Sequence, residues 1–242
     1  GHGAAKNHTV AGGNIAIGSG SMGSGVGTGH FNIAMGYFSG KSITTGAQNV
    51  ILGYTAAQLA TTSDGNVVIG NQAINQGAFT GNLNVVIGQS AMQKATDNAG
   101  NVAIGWRAMR DSDGGGNRNV VIGYQAAFDG DMSGDDNVIL GNSAASNATT
   151  LVKNVIIGHN ATIDGVVTGQ NNIIIGTSWS AKITSGKHNI IMGTNSGPLV
   201  TSNEKNILIG SSSSATAGIN NAYAIGTLAR VNQADSLVVG GQ

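Results

Sequence analysis

The sequence predicts an all-β fold, a β-solenoid of about fourteen coils with 17 or 18 residues per coil. Three observations carry this expectation: one five-residue motif recurs along almost the whole chain, its spacing barely drifts, and each copy holds three consecutive apolar residues closed by Gly.

The motif, Asn-[Val/Ile]-apolar-[Ile/Leu/Met]-Gly, begins at Asn14, Asn32, Asn49, Asn66, Asn84, Asn101, Asn119, Asn137, Asn154, Asn172, Asn189 and Asn206. Two degenerate copies follow, Ala222 to Gly226 and Ser236 to Gly240, at spacings of 16 and then 14 residues. A repeat this short cannot hold a βαβ unit, and its β-branched, Gly-bounded core favours strand over helix. Residues 14–242 are therefore one repeat domain, and residues 1–13 are a lead-in, a tag remnant or a first partial coil. Stacked at the strand spacing of about 4.8 Å, fourteen coils would form a rod on the order of 65 Å long.

Other columns keep the same register. Gly stands three before the Asn at Gly29, Gly46, Gly81, Gly116, Gly134, Gly169 and Gly186, which reads as a corner with positive φ. A hydroxyl file precedes it at Thr28, Thr45, Thr80, Ser133, Thr168, Ser185 and Ser202. Small residues return seven after the Asn at Ser39, Ala56, Ala73, Ala91, Ala108, Ala126, Ala144 and Ala161, and Trp179 breaks that file. Ser42 to Thr45, Gly165 to Thr168 and Ala181 to Thr184 suggest a second short strand in each coil. The Asn column should form a side-chain ladder from coil to coil.

Three apolar residues in a row imply burial on both faces of the strand, because side chains alternate. The first and third positions are never Ala in the twelve Asn-led copies and are assigned to the interior; the middle one is assigned outward. The outward file Ile51, Val68, Val86, Val121, Ile139, Ile156, Ile174, Ile191 and Leu208 is then the expected interface between copies of the chain. No charged residue falls inside any motif copy, in keeping with a dry strand.

Asn221 to Gly226 and Asp235 to Gly240, 14 residues apart, resemble the YadA-like head repeats of trimeric autotransporter adhesins. The longer coils, such as Gly36 to Gly46, are more similar to repeats of bacteriophage tail-fibre proteins. The resemblance implies a left-handed parallel β-roll, a homotrimer, and exposure on a virion or a bacterial cell surface. It also implies contact with a host receptor, a polysaccharide or an outer-membrane protein. A phage tail fibre is the first expectation and an adhesin head the alternative.

Composition narrows the classes further. The chain has 11 basic and 11 acidic residues, so the electrostatic footprint of a nucleic-acid binder is missing. It has no Cys, and no apolar run long enough for a membrane helix. Aromatic residues recur just after the motif Gly at Tyr37, Tyr54, Trp106 and Tyr124, with His159 in the same file, and could stack on sugars or simply cover the edge of the roll. Asp129, Asp131, Ser133 and Asp135 match the first half of a calcium loop, though Leu140 stands where the closing Glu belongs. A solvated acidic arc is the plainer reading of that segment. His8, His30, His159 and His188 have no partner at ligand spacing, and no cofactor is expected. Glu204 is the single Glu, Ser211 to Ser214 reads as a flexible connector, and no catalytic constellation is visible, so the chain is expected not to be an enzyme. An ice-binding solenoid or a tailspike glycan hydrolase would be the competing functions.

Overall fold

The computed structural model describes residues 1–7, 12–24, 26–162, 168–178 and 183–241. His8, Trp179 and the strand segments expected at 165–167 and 181–182 lie outside the described residues. The described chain is an all-β parallel solenoid of about thirteen turns with no helix. It divides into two compact units, Gly1–Ile122 and Gly123–Gln242.

In the first unit the motif copies form β1 (Ile15–Ile17), β2 (Ile33–Met35), β3 (Val50–Leu52), β4 (Val67–Ile69), β5 (Val85–Ile87), β6 (Val102–Ile104) and β7 (Val120–Ile122). Each strand pairs in parallel with the next, and equivalent motif positions are in register, as in Val50↔Val67, Ile51↔Val68 and Leu52↔Ile69. The second unit holds β8 (Val138–Leu140), β9 (Val155–Ile157), β10 (Ile173–Ile175), β11 (Ile190–Met192), β12 (Ile207–Ile209), β13 (Ser214–Ala215), β14 (Tyr223–Ile225), β15 (Arg230–Val231) and β16 (Leu237–Val239). There β8 to β12, β14 and β16 stack in register, while β13 and β15 pair in a small second sheet.

The facing of the strands is the reverse of the sequence expectation. The middle residue of each triplet points into the coil: Ile51, Val68, Val86, Val121, Ile139, Ile156, Ile174, Ile191 and Leu208 are all 0–1 % exposed within the single chain. These nine side chains are core, not an interface between copies. Ala fits there because the interior is also filled from other columns, by Met22, Ile43, Ile74, Phe79, Met92, Met109 and Leu151, so a small middle residue leaves no void. The first and third positions face outward, half-buried by their neighbours above and below. The small file from Ser39 to Ala161 is also fully inside.

Two further expectations change. Gly29, Gly46, Gly81 and Gly134 do not have positive φ; they are Gly because a Cβ would run into the backbone of the next coil, at Gly46, Ser63, Asn98 and Leu151 respectively. The left-handed corners fall instead on the residue before the Asn and on the second residue after the motif Gly, as at Gln48 (φ 60) and Thr55 (φ 50). Among the described residues the second strand forms in the last coils, as β13 and β15. Ser42 to Thr45 is not a strand, although its backbone still hydrogen-bonds along the stack, Thr44 N–H donating to Thr61 O at 2.9 Å. Ser211 to Ser214 is no flexible connector either: Ser213 is buried, its hydroxyl 2.7 Å from that of Ser196, and Ser214 begins β13.

Candidate functional surface

Buried Asn side chains fix the register on which every surface file depends. The Oδ1 of Asn49 accepts the backbone N–H of Asn66 at 3.0 Å and its Nδ2 at 3.0 Å. The Nδ2 of Asn49 donates to Asn32 Oδ1 at 2.9 Å and to Ser63 O in the following coil at 2.7 Å. Asn32 to Asn119 repeat the column in the first unit, and Asn137 to Asn206 in the second. It ends where Ala222 offers only its N–H, to Asn206 Oδ1 at 2.8 Å. Each amide thus bonds forward and backward, which is why a polar residue tolerates full burial here.

A second ladder, not foreseen from the sequence, runs two residues before the Asn. Asp64 Oδ1 accepts the Ala47 N–H at 2.7 Å, Asn82 Oδ1 that of Asp64 at 2.6 Å, Asn117 Oδ1 that of Ala99 at 2.8 Å, and Asn220 Oδ1 that of Glu204 at 2.7 Å. His30 Nδ1 does the same for the Gly12 N–H at 2.9 Å. The visible signal was an Asx at this place in several repeats; what hid its use is that other coils carry Ala, Val, Gln or Lys there.

The outer face of each unit carries two aliphatic files, from the first and third motif positions. Exposure is 48 % at Ile15 and 52 % at Ile17, and 37 % at each of Ile122, Ile173 and Ile209. In the first unit Phe31 and Leu83 extend this surface on the Asn side. Both have positive φ, and each lies over a glycine of the preceding coil, Phe31 on Gly13 and Leu83 on Gly65.

On the opposite flank of the first unit, Tyr37 and Tyr54 stack with ring centroids 5.4 Å apart and planes 10° apart, both roughly half exposed. Phe38 lies 4.1 Å from Tyr37, with the Lys41 ammonium 4.4 Å above its ring. Trp106 is separate from this pair and is covered by the Arg107 guanidinium at 4.1 Å. Tyr124, in the second unit, is exposed. The aromatic file is therefore one two-ring platform and single residues, not a continuous ladder, because Asn71 and Gln89 interrupt it. A shallow cleft of about 250 Å³ lies beside Phe38 and Lys41, walled by His2, Lys6 and Ser19.

The calcium reading is not supported by the geometry. Among the described residues no three of His, Cys, Asp or Glu gather into a metal-binding group, so Asp129, Asp131 and Asp135 do not converge. The turn places the Ser133 N–H on the carbonyls of Asp131 and Thr149, which stacks the loop on its neighbour instead of wrapping it round an ion.

Charge is sparse. Asp111 accepts two hydrogen bonds from Arg110, at 2.8 and 2.6 Å, and its Oδ1 lies 3.2 Å from Lys94 Nζ. Burial raises the Asp111 carboxyl, but the bonds from Arg110 and Lys94 outweigh it and hold the group below the ordinary carboxylate value. No protein-family model matches this chain, and no curated protein matches its sequence.

Proposed function

We propose that this chain is a rigid, non-enzymatic segment of a homotrimeric fibre, a left-handed β-roll displayed on a virion as part of a bacteriophage tail fibre and engaged in binding a host surface. The observation that carries the reading is the outward aliphatic face. Seven strands per unit each present two large apolar residues, and these stay partly exposed in the single chain, most of all at Ile15, Ile17, Leu237 and Val239. Covering the exposed part of such a side chain gains roughly 0.5–1 kcal/mol, so each unit holds on the order of 10 kcal/mol of gross driving force toward association. The three-fold arrangement comes from the resemblance of the repeats to adhesin heads and fibre proteins. The short final spacing of 14 residues between β14 and β16 favours the second reading, the head of a trimeric autotransporter adhesin.

The stacked Tyr37–Tyr54 pair supports recognition of a host polysaccharide, since roughly half-exposed aromatic rings can pack on the apolar faces of sugars. Sedimentation equilibrium tests the assembly: the expected species has three times the 24.1 kDa chain mass, and a folded 24.1 kDa species at micromolar concentration refutes it. Glycan binding that is unchanged in Tyr37→Ala/Tyr54→Ala would remove the platform from the reading.

A further inference from the structure

We infer that the second unit carries a binding strip for a linear anionic polysaccharide, formed by Lys153, Lys187, His188 and Lys205, distinct from the tyrosine platform. The residue before each motif Asn has positive φ, a place where Gly or Asn costs least. In the first unit it holds Gly13, Phe31, Gln48, Gly65, Leu83, Gly100 and, at the end, Arg118. In the second unit the same file reads Asp136 (φ 62), Lys153 (φ 56), Asn171 (φ 55), His188 (φ 58), Lys205 (φ 59), Asn221 (φ 54) and Asp235 (φ 55). Lys153, His188 and Lys205 thus fall within four successive coils, where local conformation disfavours them, between Asp136 on one side and Asn221 and Asp235 on the other.

The backbone beneath these side chains is pinned coil to coil. The N–H groups of Asn171, His188 and Lys205 donate to Val152 O, Gln170 O and Lys187 O at 3.0–3.1 Å. Parallel bridges join Val152, Gln170, Lys187 and Glu204 in one file. Successive positions therefore stand about 4.8 Å apart, and Lys153 and Lys205 about 14 Å apart along the stack. Lys153, His188 and Lys205 are exposed and Lys187 half-buried, and among the described residues none makes an ion pair. Glu204 is the one carboxylate in these two files over the four coils from Lys153 to Lys205, with Asp135 and Asp136 in the coil before, so the three lysines leave a net positive charge over those four coils.

The shape of the charge selects the ligand. The lysine ammonium groups stand on an open surface, and a single exposed pairing gains little, so a small anion would not be held. A polymer whose charges repeat along the coil-stacking direction engages all of them at once and displaces its counterions. Exposed hydroxyls of Thr184, Ser185 and Ser202 border the file and suit a sugar backbone.

Fluorescence polarisation with labelled alginate, a polyuronate, tests this on the whole chain, with uncharged dextran and single-stranded oligo(dT) as comparison ligands. Alginate should bind, weaken as NaCl is raised, and bind roughly tenfold or more weakly to Lys153→Gln/Lys187→Gln/Lys205→Gln. Gln48 occupies the equivalent left-handed position in the first unit, so Gln is compatible with the backbone, and Lys187→Gln alone tests the strip at a residue without positive φ. Equal binding by the triple variant and the wild type overturns the assignment. So does an equal loss in Lys41→Gln/Lys94→Gln, or binding of oligo(dT) in preference to alginate. Loss through Tyr37→Ala/Tyr54→Ala with the triple variant unaffected would place recognition on the platform and also reject the strip.

Discussion

Replacing Asn84 separates the two roles of its amide. Its Nδ2 donates to Asn66 Oδ1 at 3.0 Å, Asn82 O at 3.1 Å and Asn98 O at 2.8 Å. Its Oδ1 accepts the Asn101 N–H at 2.9 Å. Asn84→Leu removes all of these, leaving the buried Asn101 N–H without its acceptor and Asn98 O without this donor. At about 1–3 kcal/mol per stranded buried group, the expected loss is about 3–5 kcal/mol, independent of pH. Asn84→Asp keeps the acceptor but turns an oxygen toward Asn98 O and Asn66 Oδ1. The carboxyl is then stabilised only when protonated, so its folded pKa rises above the unfolded value of about 3.9. The variant should match the wild type most closely below about pH 4. It should lose about 1.4 kcal/mol per pH unit above that, until the folded carboxyl ionises or the coil opens. Urea denaturation followed by far-ultraviolet circular dichroism at pH 4 and pH 7 measures the difference. An Asn84→Asp penalty identical at the two pH values would refute the ladder as the source of the stability.

Ile173→Asp should leave the solenoid folded while abolishing self-association, whereas Ile174→Asp, one residue on, should unfold it; circular dichroism with light scattering distinguishes the two, and the reverse pattern would restore the opposite facing. Gly53→Ala places a Cβ against the carbonyl of Gly70 at a φ of 141 and should cost at least about 3 kcal/mol in a denaturant titration. Ile74 is a buried β-branched residue at φ 47, in the file that holds Met22, Met92 and Met109; Ile74→Met should raise the denaturation midpoint by a gain of about 0.5–1 kcal/mol. Asp111→Asn should cost up to about 1 kcal/mol at neutral pH, because a lowered carboxyl pKa stabilises the fold above its ordinary value of 3.8 and that contribution fades as pH falls below it.

The repeat, its register and the Asn ladder were legible because each rests on a residue type that little else can replace at a fixed spacing. The facing of the strands was legible too, but from a different clue. A buried Asn and strict alternation place the second residue after it on the same side as the Asn, which is the interior. Judging by size misled, because Ala16, Ala34 and Ala103 look expendable only if each column is considered apart from the Met, Ile and Phe that fill the coil from its arcs. The corner glycines misled for a related reason. Gly46 and Gly81 are demanded by the next coil's backbone, a contact that sequence separation hides, while real left-handed corners such as Gln48, Leu83 and Lys153 carry side chains that propensity would place elsewhere. The calcium spacing of Asp129 to Asp135 shows how little a run of oxygen-bearing residues says alone, since among the described residues no such group gathers and the Ser133 N–H instead bonds along the stack to Thr149 O.

Thirty-one of the described non-glycine residues have positive φ, each an unfavourable conformation costing about 1 kcal/mol or more outside Asn and Asp. A single coil cannot sustain that cost. In the stack, the N–H of such a residue donates to the coil before it, as Gln48 does to His30 O at 2.9 Å and Leu83 to Asp64 O at 2.9 Å. Local strain is therefore offset only by neighbours, which makes stability a nearest-neighbour property and ties each coil to the next. The outward aliphatic files take no part in that exchange. They could be altered without unravelling the stack, so the residues that hold the solenoid together and those proposed to join its copies sit on opposite sides of the same three-residue strand.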